Sequence, residues 1–376
     1  MEHLNVQLSQ VIELGTKIDE INKKVAHPHS STCLVVGAVV TIVLLCTTLG
    51  LVANNNLDID SILDTVEGSD LATRSSTLFG NNPCEGAKPT DDAFDNFDCT
   101  TAVTNAIEQS GTNVTRGYVG QIDNSLTPPI TTSYFKAGLC PVNVHWHLGA
   151  EHFSAGEYDD KGTGPEDSYA LDDHRRLAAG GVRLGYQCRH YDSSDTKFAT
   201  EYNWEHCVDM KVGQTYEVHW PHSTVGSCGT PYQYQTPFYD GVFCGLGDGS
   251  AILSGAATAH DNVGVQAQVF TIVNDEDYYY PDLLRGAILS TSTSDFWTDV
   301  AIYTGSTTGT SRDNDVCSAY SPITWQVDRK CHMISASSFD KMCADMKAQV
   351  DDMSDDLYAH GSRELVSNEL ASAQEV

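Results

Sequence analysis

Between Cys33 and Ala53 the chain runs for 21 residues without a charge, rich in Val, Leu and Gly. As a helix this run is about 31 Å long at 1.5 Å per residue, which matches the hydrocarbon core of a bilayer. It predicts a transmembrane helix, and everything else must fold on one side of it or the other. A cleaved signal peptide fits less well, because the run is long and a polar, helix-patterned segment precedes it. Lys23 and Lys24 stand before the run, Asp58, Asp60 and Asp64 follow it, and the next basic residue is Arg74. Basic flanks stay cytosolic, so residues 32–54 read as a single-pass signal anchor with a cytosolic N-terminus and an extracellular or luminal C-terminal bulk.

Ahead of the anchor, Leu4, Val11, Ile18 and Val25 recur every seven residues, with Leu14 and Ile21 three positions on. That is a heptad seam over residues 1–31, which predicts either an amphipathic helix on the membrane surface or a short coiled coil that makes a homo-oligomer through residues 4–25. After the anchor, residues 55–82 are polar, acidic and short of aromatics, the composition of a stalk.

Two of the twelve cysteines lie in the anchor, leaving ten spread from Cys84 to Cys343 with no Cys-x-x-Cys pair. An even, scattered set suits disulfides in an oxidising compartment better than a zinc ribbon. Asn113-Val114-Thr115 is a glycosylation sequon, consistent with the same route. The net charge of -30 argues against a nucleic-acid partner, since no basic face exists to release counterions from phosphates.

Residues 83–345 read as the folded domain on the far side of the anchor. Short runs rich in Val, Ile, Thr and Tyr, such as Val182–Tyr186, Thr215–Trp220, Val263–Val273 and Ile323–Val327, alternate with Gly, Asn, Asp and Pro. Helical patterns are confined to Asn96–Gln109 and Leu171–Ala179. The expected fold is mainly β, one large twisted sheet with few helices. From Ser338 the text changes: Phe339, Met342, Met346, Val350 and Met353 recur at helical spacing against a row of aspartates. This predicts a solvated surface helix leading into an acidic tail over 346–376, with no core for residues after Ala359 to join.

Two strand-like stretches carry the candidate chemistry. In Val142–His152 the alternation of Val142, Val144 and Trp146 with Asn143, His145 and His147 puts His145 and His147 side by side on one face. In Thr215–His222, Glu217 and His219 share a face in the same way. Three neutral imidazoles with one coordination position left open are the ligand set of a catalytic zinc. Asn143 and Glu217, each two residues before a histidine, are placed to take its second N–H and fix its tautomer. His152 and His222 follow the two motifs closely and are candidates for a fourth ligand, a supporting contact or a proton relay.

The run Asn-Val-His-Trp-His-Leu-Gly-Ala-Glu-His, preceded by Cys140-Pro141, resembles the signature of the delta-class carbonic anhydrases of marine microalgae. The same positions are similar to the alpha class, where a His-x-His strand is followed by a Glu-x-His strand. The resemblance implies an alpha-carbonic-anhydrase-like sheet, Zn2+ held by His145, His147 and His219, and reversible hydration of CO2 to bicarbonate and a proton by a zinc-bound hydroxide. Tyr303-Thr304-Gly305-Ser306-Thr307-Thr308 resembles the alpha-class Tyr-Pro-Gly-Ser-Leu-Thr loop, which makes Thr308 the residue that orients the hydroxide and Glu151 its acceptor. Thr304 and Gly309 depart from that loop. Ile323-Thr324-Trp325-Gln326-Val327 and the later Ile334-Ser335-Ala336-Ser337-Ser338 resemble the strand and turn that follow it. The resemblance also implies a bond from Cys317 to Cys84, Cys99 or Cys140, and a role in supplying carbon to photosynthesis. The alpha-class shuttle position is empty, because no histidine occurs between His29 and His145. Proton exit through water and buffer is therefore expected unless His174, His190, His206 or His260 faces the metal.

Two other classes compete. His145-x-His147-x3-Glu151 matches the first motif of the cupins, which bind iron or manganese, although Glu217-Val218-His219 lacks the Gly-rich frame of their second motif. An inactive carbonic-anhydrase-like adhesion or structural module is the other, against which the intact ligand set argues.

Overall fold

The computed structural model of the 376-residue chain describes residues 79–87, 111–121, 123–165, 183–246, 259–287, 299–306, 322–351, 353–363, 365–366 and 368–374. All of them lie in the unit Ser75–Val376. The heptad segment, the 33–53 span, most of the stalk, both expected helices at 96–109 and 171–179, and Thr308 fall outside them. Among the described residues no helix is long and apolar enough to cross a membrane.

The described strands are β1 (Cys140–Pro141), β2 (His145–Leu148), β3 (Tyr158–Asp159), β4 (Gln187–Cys188), β5 (Thr215–Ser223), β6 (Val263–Val273), β7 (Val300–Ser306) and β8 (Pro322–Ser335). The helices are α1 (Tyr134–Ala137), α2 (Thr196–Ala199), α3 (Phe238–Phe243), α4 (Ala259–Asn262) and α5 (Ala336–Lys347). The architecture is mainly β with few helices. One mixed sheet runs β1–β5–β6–β8–β7, with β2 on the same edge of β5 as β1, while β3 and β4 form a separate pair. Only β6 and β8 are parallel within the main sheet; β1, β2 and β6 lie antiparallel to β5, and β7 to β8.

β6 is buried over its whole length, Gln266, Gln268 and Thr271 included, which fits its place with a neighbour on either edge and cover on both faces. β5 passes through Pro221 to Ser223, beyond the end expected at the proline. The reason lies in the strand opposite. Pro141 faces His222 and His145 faces His219, so residues 142–144 oppose only two residues of β5. A bulge of one extra residue interrupts the ladder there, where a missing proline donor is tolerated. It also reverses the alternation: Val142 packs on one side of the sheet, Val144 and Trp146 on the other.

One side of the sheet carries Trp146, Val218, Trp220, Phe270 and Ile272, closed by Phe339, Met342, Cys343 and Met346 of α5. The expectation of a solvated surface helix is corrected here: those four α5 residues are buried, because the sheet offers an apolar face of the right length. Even Asp340 is buried, its carboxylate accepting from the backbone N–H groups of Glu205, His206 and Cys207. The tail is corrected too. Met353, Leu357, Ser362, Arg363 and Ala371 are buried, and His360 pairs its backbone with Trp146 and Leu148 on the free edge of β2. A strand edge is satisfied by main-chain groups, which hydrophobic patterning does not register.

Among the described residues four disulfides join Cys84 to Cys244, Cys140 to Cys228, Cys188 to Cys331 and Cys207 to Cys343. Cys84 and Cys140 are thus not partners of Cys317, which lies outside the described residues with Cys99.

Candidate metal centre

The register of β2 on β5 builds the centre. His145 lies opposite His219 and His147 opposite Glu217, so three imidazoles and a carboxylate share one face across two hydrogen-bonded strands. Ring centroids are 5.4 Å apart for His145 and His147, 5.2 Å for His145 and His219, and 4.6 Å for His147 and His219. One nitrogen from each ring lies within 4.8 Å of the other two.

The remaining nitrogens are each committed. The Asn143 amide donates to the Gln235 carbonyl at 2.8 Å, which turns its oxygen toward His145 Nδ1 at 2.9 Å. His147 Nδ1 donates to the Gly361 carbonyl at 3.0 Å, and His219 Nε2 to Glu217 Oε1 at 2.8 Å. These bonds set the tautomers so that His145 Nε2, His147 Nε2 and His219 Nδ1 carry the lone pairs. His147 Nε2 and His219 Nδ1 are buried without a hydrogen-bond partner. Orphaned buried nitrogens are costly in a folded protein, and a metal ion would satisfy them. The residues present therefore fit a metal. Burial, with His219 and His360 adding to it, pushes the His147 imidazole well below its usual range, keeping it neutral as a ligand must be.

Glu217 is the hub. Its Oε2 accepts from the backbone N–H of Glu151 at 2.7 Å and of His152 at 3.1 Å, while Oε1 accepts from His152 Nδ1 at 2.5 Å as well as from His219. Burial alone would raise this carboxyl, but His152 and His219 outweigh it and hold it well below the usual carboxylate range. Gly149, at a φ of +76°, lets the chain turn back after β2 so that Glu151 and His152 reach Glu217; a Cβ there would meet the Gly185 backbone at 2.7 Å.

The other candidates are placed differently. Both ring nitrogens of His152 are used, Nδ1 by Glu217 and Nε2 by the Tyr303 hydroxyl at 2.7 Å, so it braces the site and offers no lone pair to a metal. His222, three residues after His219, falls on the opposite side of β5, against Tyr134, and burial pushes its imidazole down to about 4. It is not brought to the centre. Glu151 Oε1 accepts from the Arg363 N–H at 3.1 Å and lies 3.3 Å from His147 Nδ1, the nitrogen turned away from the cluster. That arrangement does not supply the carboxylate ligand of a cupin. Tyr303–Ser306 is the end of strand β7 rather than a loop, and Ile334–Ser338 passes from β8 directly into α5.

A family model described as Delta carbonic anhydrase matches residues 136–338, more than half of the chain, with all three histidines inside the match. The chain belongs to the delta carbonic anhydrase family. It is accordingly a carbonic anhydrase, a lyase. No curated protein matches the chain.

In this carbonic anhydrase the centre has parts that sequence reading missed. His360 stacks on His145 with ring centroids 5.1 Å apart and planes 15° from parallel, and its Nε2 donates to Asp356 Oδ1 at 2.5 Å. Trp325 walls the other side, 5.0 Å from His219 and 5.2 Å from His152. His360 lies beyond the family match, in a tail with no periodic signal. Its one local cue is Asp356 four residues before it.

Proposed function

We propose that the enzyme is a zinc-dependent carbonic anhydrase that hydrates CO2 reversibly to bicarbonate and a proton, with His145, His147 and His219 as the metal ligands. The observation that carries this reading is the pair of buried, unpartnered nitrogens on His147 and His219, beside an Asn143-directed His145. Zinc held there would act as a Lewis acid and lower the pKa of a coordinated water. Asn143, the Gly361 carbonyl and Glu217 hold the three rings in their tautomers. Because all three ligands are neutral, the protein does not blunt the metal's charge. Trp325 and the buried His152–Tyr303 pair exclude bulk water from the side of the ligands that faces the sheet.

Glu151 and Thr308 are assigned the alpha-class roles of acceptor and orienting hydroxyl. Glu151 Oε2 is buried without a hydrogen-bond partner among the described residues, which suits an acceptor awaiting a hydroxyl. The alpha-class likeness of the sheet belongs to this reading as well. Proton exit runs through water and buffer. The enzyme is further read as a single-pass membrane protein with its catalytic domain extracellular or luminal, a placement that the disulfides among the described residues support.

The test is CO2 hydration by the purified full chain alongside metal analysis. About one zinc per chain at the histidine centre is expected, with activity lost on chelation, restored by zinc and rising with buffer concentration. Iron or manganese in place of zinc, or a zinc-loaded chain that leaves CO2 untouched, would overturn the proposal.

A further inference from the structure

A second set of metal-ligating side chains lies apart from the histidine centre and shares no residue with it. Cys188 on β4 and Cys331 on β8 are joined by a disulfide that ties the small two-stranded sheet to the main one. A ring nitrogen of His190 lies within 4.8 Å of both sulfurs. His190 Nδ1 is buried and has no hydrogen-bond partner among the described residues. The Cys331 N–H donates to Glu157 Oε2 at 3.2 Å, which puts a carboxylate against the same turn of chain. Of the four described disulfides, this is the only one grouped with a third potential ligand among the described residues.

We propose that Cys188, Cys331 and His190 form a second metal site, selective for a thiophilic divalent ion of the zinc type, that opens when their disulfide is reduced. Two thiolates and an imidazole are the donor set such ions prefer, and a fourth position remains for water or a carboxylate. The step balances with a dithiol as reductant. Thiol–disulfide exchange breaks the Cys188–Cys331 S–S bond and moves two electrons and two protons from the dithiol to the cysteines, leaving the reductant as its own disulfide. Metal binding then displaces the two thiol protons to solvent. In the oxidised protein both sulfurs are tied to each other and His190 Nδ1 stays unpartnered. In the reduced protein the metal replaces the covalent tie, so the small sheet stays joined to β8. The two states are alternative cross-links of the same two strands.

Cobalt(II) titration of the full chain tests this, because thiolate ligation gives a near-ultraviolet charge-transfer band that imidazoles alone do not. Oxidised protein is expected to lack the band. Dithiol-treated protein should gain it together with one additional cobalt per chain, and His190→Ala should weaken that additional binding by about tenfold or more. Reduction also opens the other disulfides, so Cys331→His provides a second route: it leaves those three intact and should bind the extra cobalt, with a thiolate band, without any reductant. A His147→Ala background should keep the band while losing the other metal, which separates failure of this site from failure of the histidine centre. Absence of the band from both reduced protein and Cys331→His, or an extra cobalt held equally well by His190→Ala, would overturn the proposal.

Discussion

The two faces of the central sheet are built on different rules. On the α5 side, Trp146, Val218, Trp220 and Phe270 meet Phe339, Met342 and Met346, and the requirement is volume and apolarity. On the other side, His145, His147, His219, Glu217 and His152 are equally buried, and the requirement is a partner for every polar atom. The strands are shared: Trp146 lies between His145 and His147, and Val218 between Glu217 and His219. Alternation therefore lets one β-ladder serve both. An apolar face tolerates repacking, whereas a buried polar face loses a defined contact with each atom changed. Damage to one face should thus read out as stability and damage to the other as metal and catalysis.

The largest effect that would sharpen this contrast is His219→Ala or His147→Ala, which should abolish metal retention and CO2 hydration together while leaving the chain folded; metal analysis and a hydration assay check it. Full activity in either would break the assignment. Next, Phe339→Ala on the opposite face should cost about 3–5 kcal/mol in denaturant unfolding, with metal content unchanged in the folded protein.

Glu217→Gln should weaken zinc affinity by roughly 10–100-fold. All four groups bonded to Glu217 are donors, so whichever way an amide turns, its NH2 confronts two of them. Competition with a chelator measures the loss, and unchanged affinity would demote Glu217 to a structural role. His360→Ala should weaken it less, by under about tenfold, because His360 stacks on His145 and gives its ring N–H to Asp356.

The smallest effect lies away from both faces. Burial, with Asp240 and Glu85 nearby, raises the Asp351 carboxyl from its ordinary value near 3.8 to about 6. The folded state then holds that proton more tightly than the unfolded chain, so stability falls as pH rises from about 4 to about 6 and levels off above. Asp351→Asn should remove this slope and add less than about 1 kcal/mol at neutral pH, solvent screening limiting the gain at a half-buried site. Unfolding curves across that pH window decide it.

Much of the centre was legible because its proposed ligands sit on two strands whose side chains alternate. His145, His147, Glu217 and His219 follow from period two and from what imidazole nitrogens require; Asn143 lies in the bulge, where alternation breaks, and its amide is aimed at His145 by the Gln235 carbonyl. His152 was visible as a residue but not in its place, since its bond to Tyr303 joins positions 151 residues apart. Thr308 carries its role on resemblance alone. The solvated reading of α5 failed because its aspartates suggested water, whereas Asp340 answers backbone donors within the fold.

Local spacing determined which side chains share a face and what chemistry their donor atoms permit, because a strand's alternation is a property of neighbouring bonds. Contacts between distant stretches fixed the rest: the β2–β5 register, the bulge that reverses sides at 142–144, the Gly361 carbonyl that turns His147, and His360 against His145. Those depend on long-range packing and main-chain hydrogen bonds, and backbone N–H and C=O groups are the same at almost every position, so the letters of the chain do not announce them.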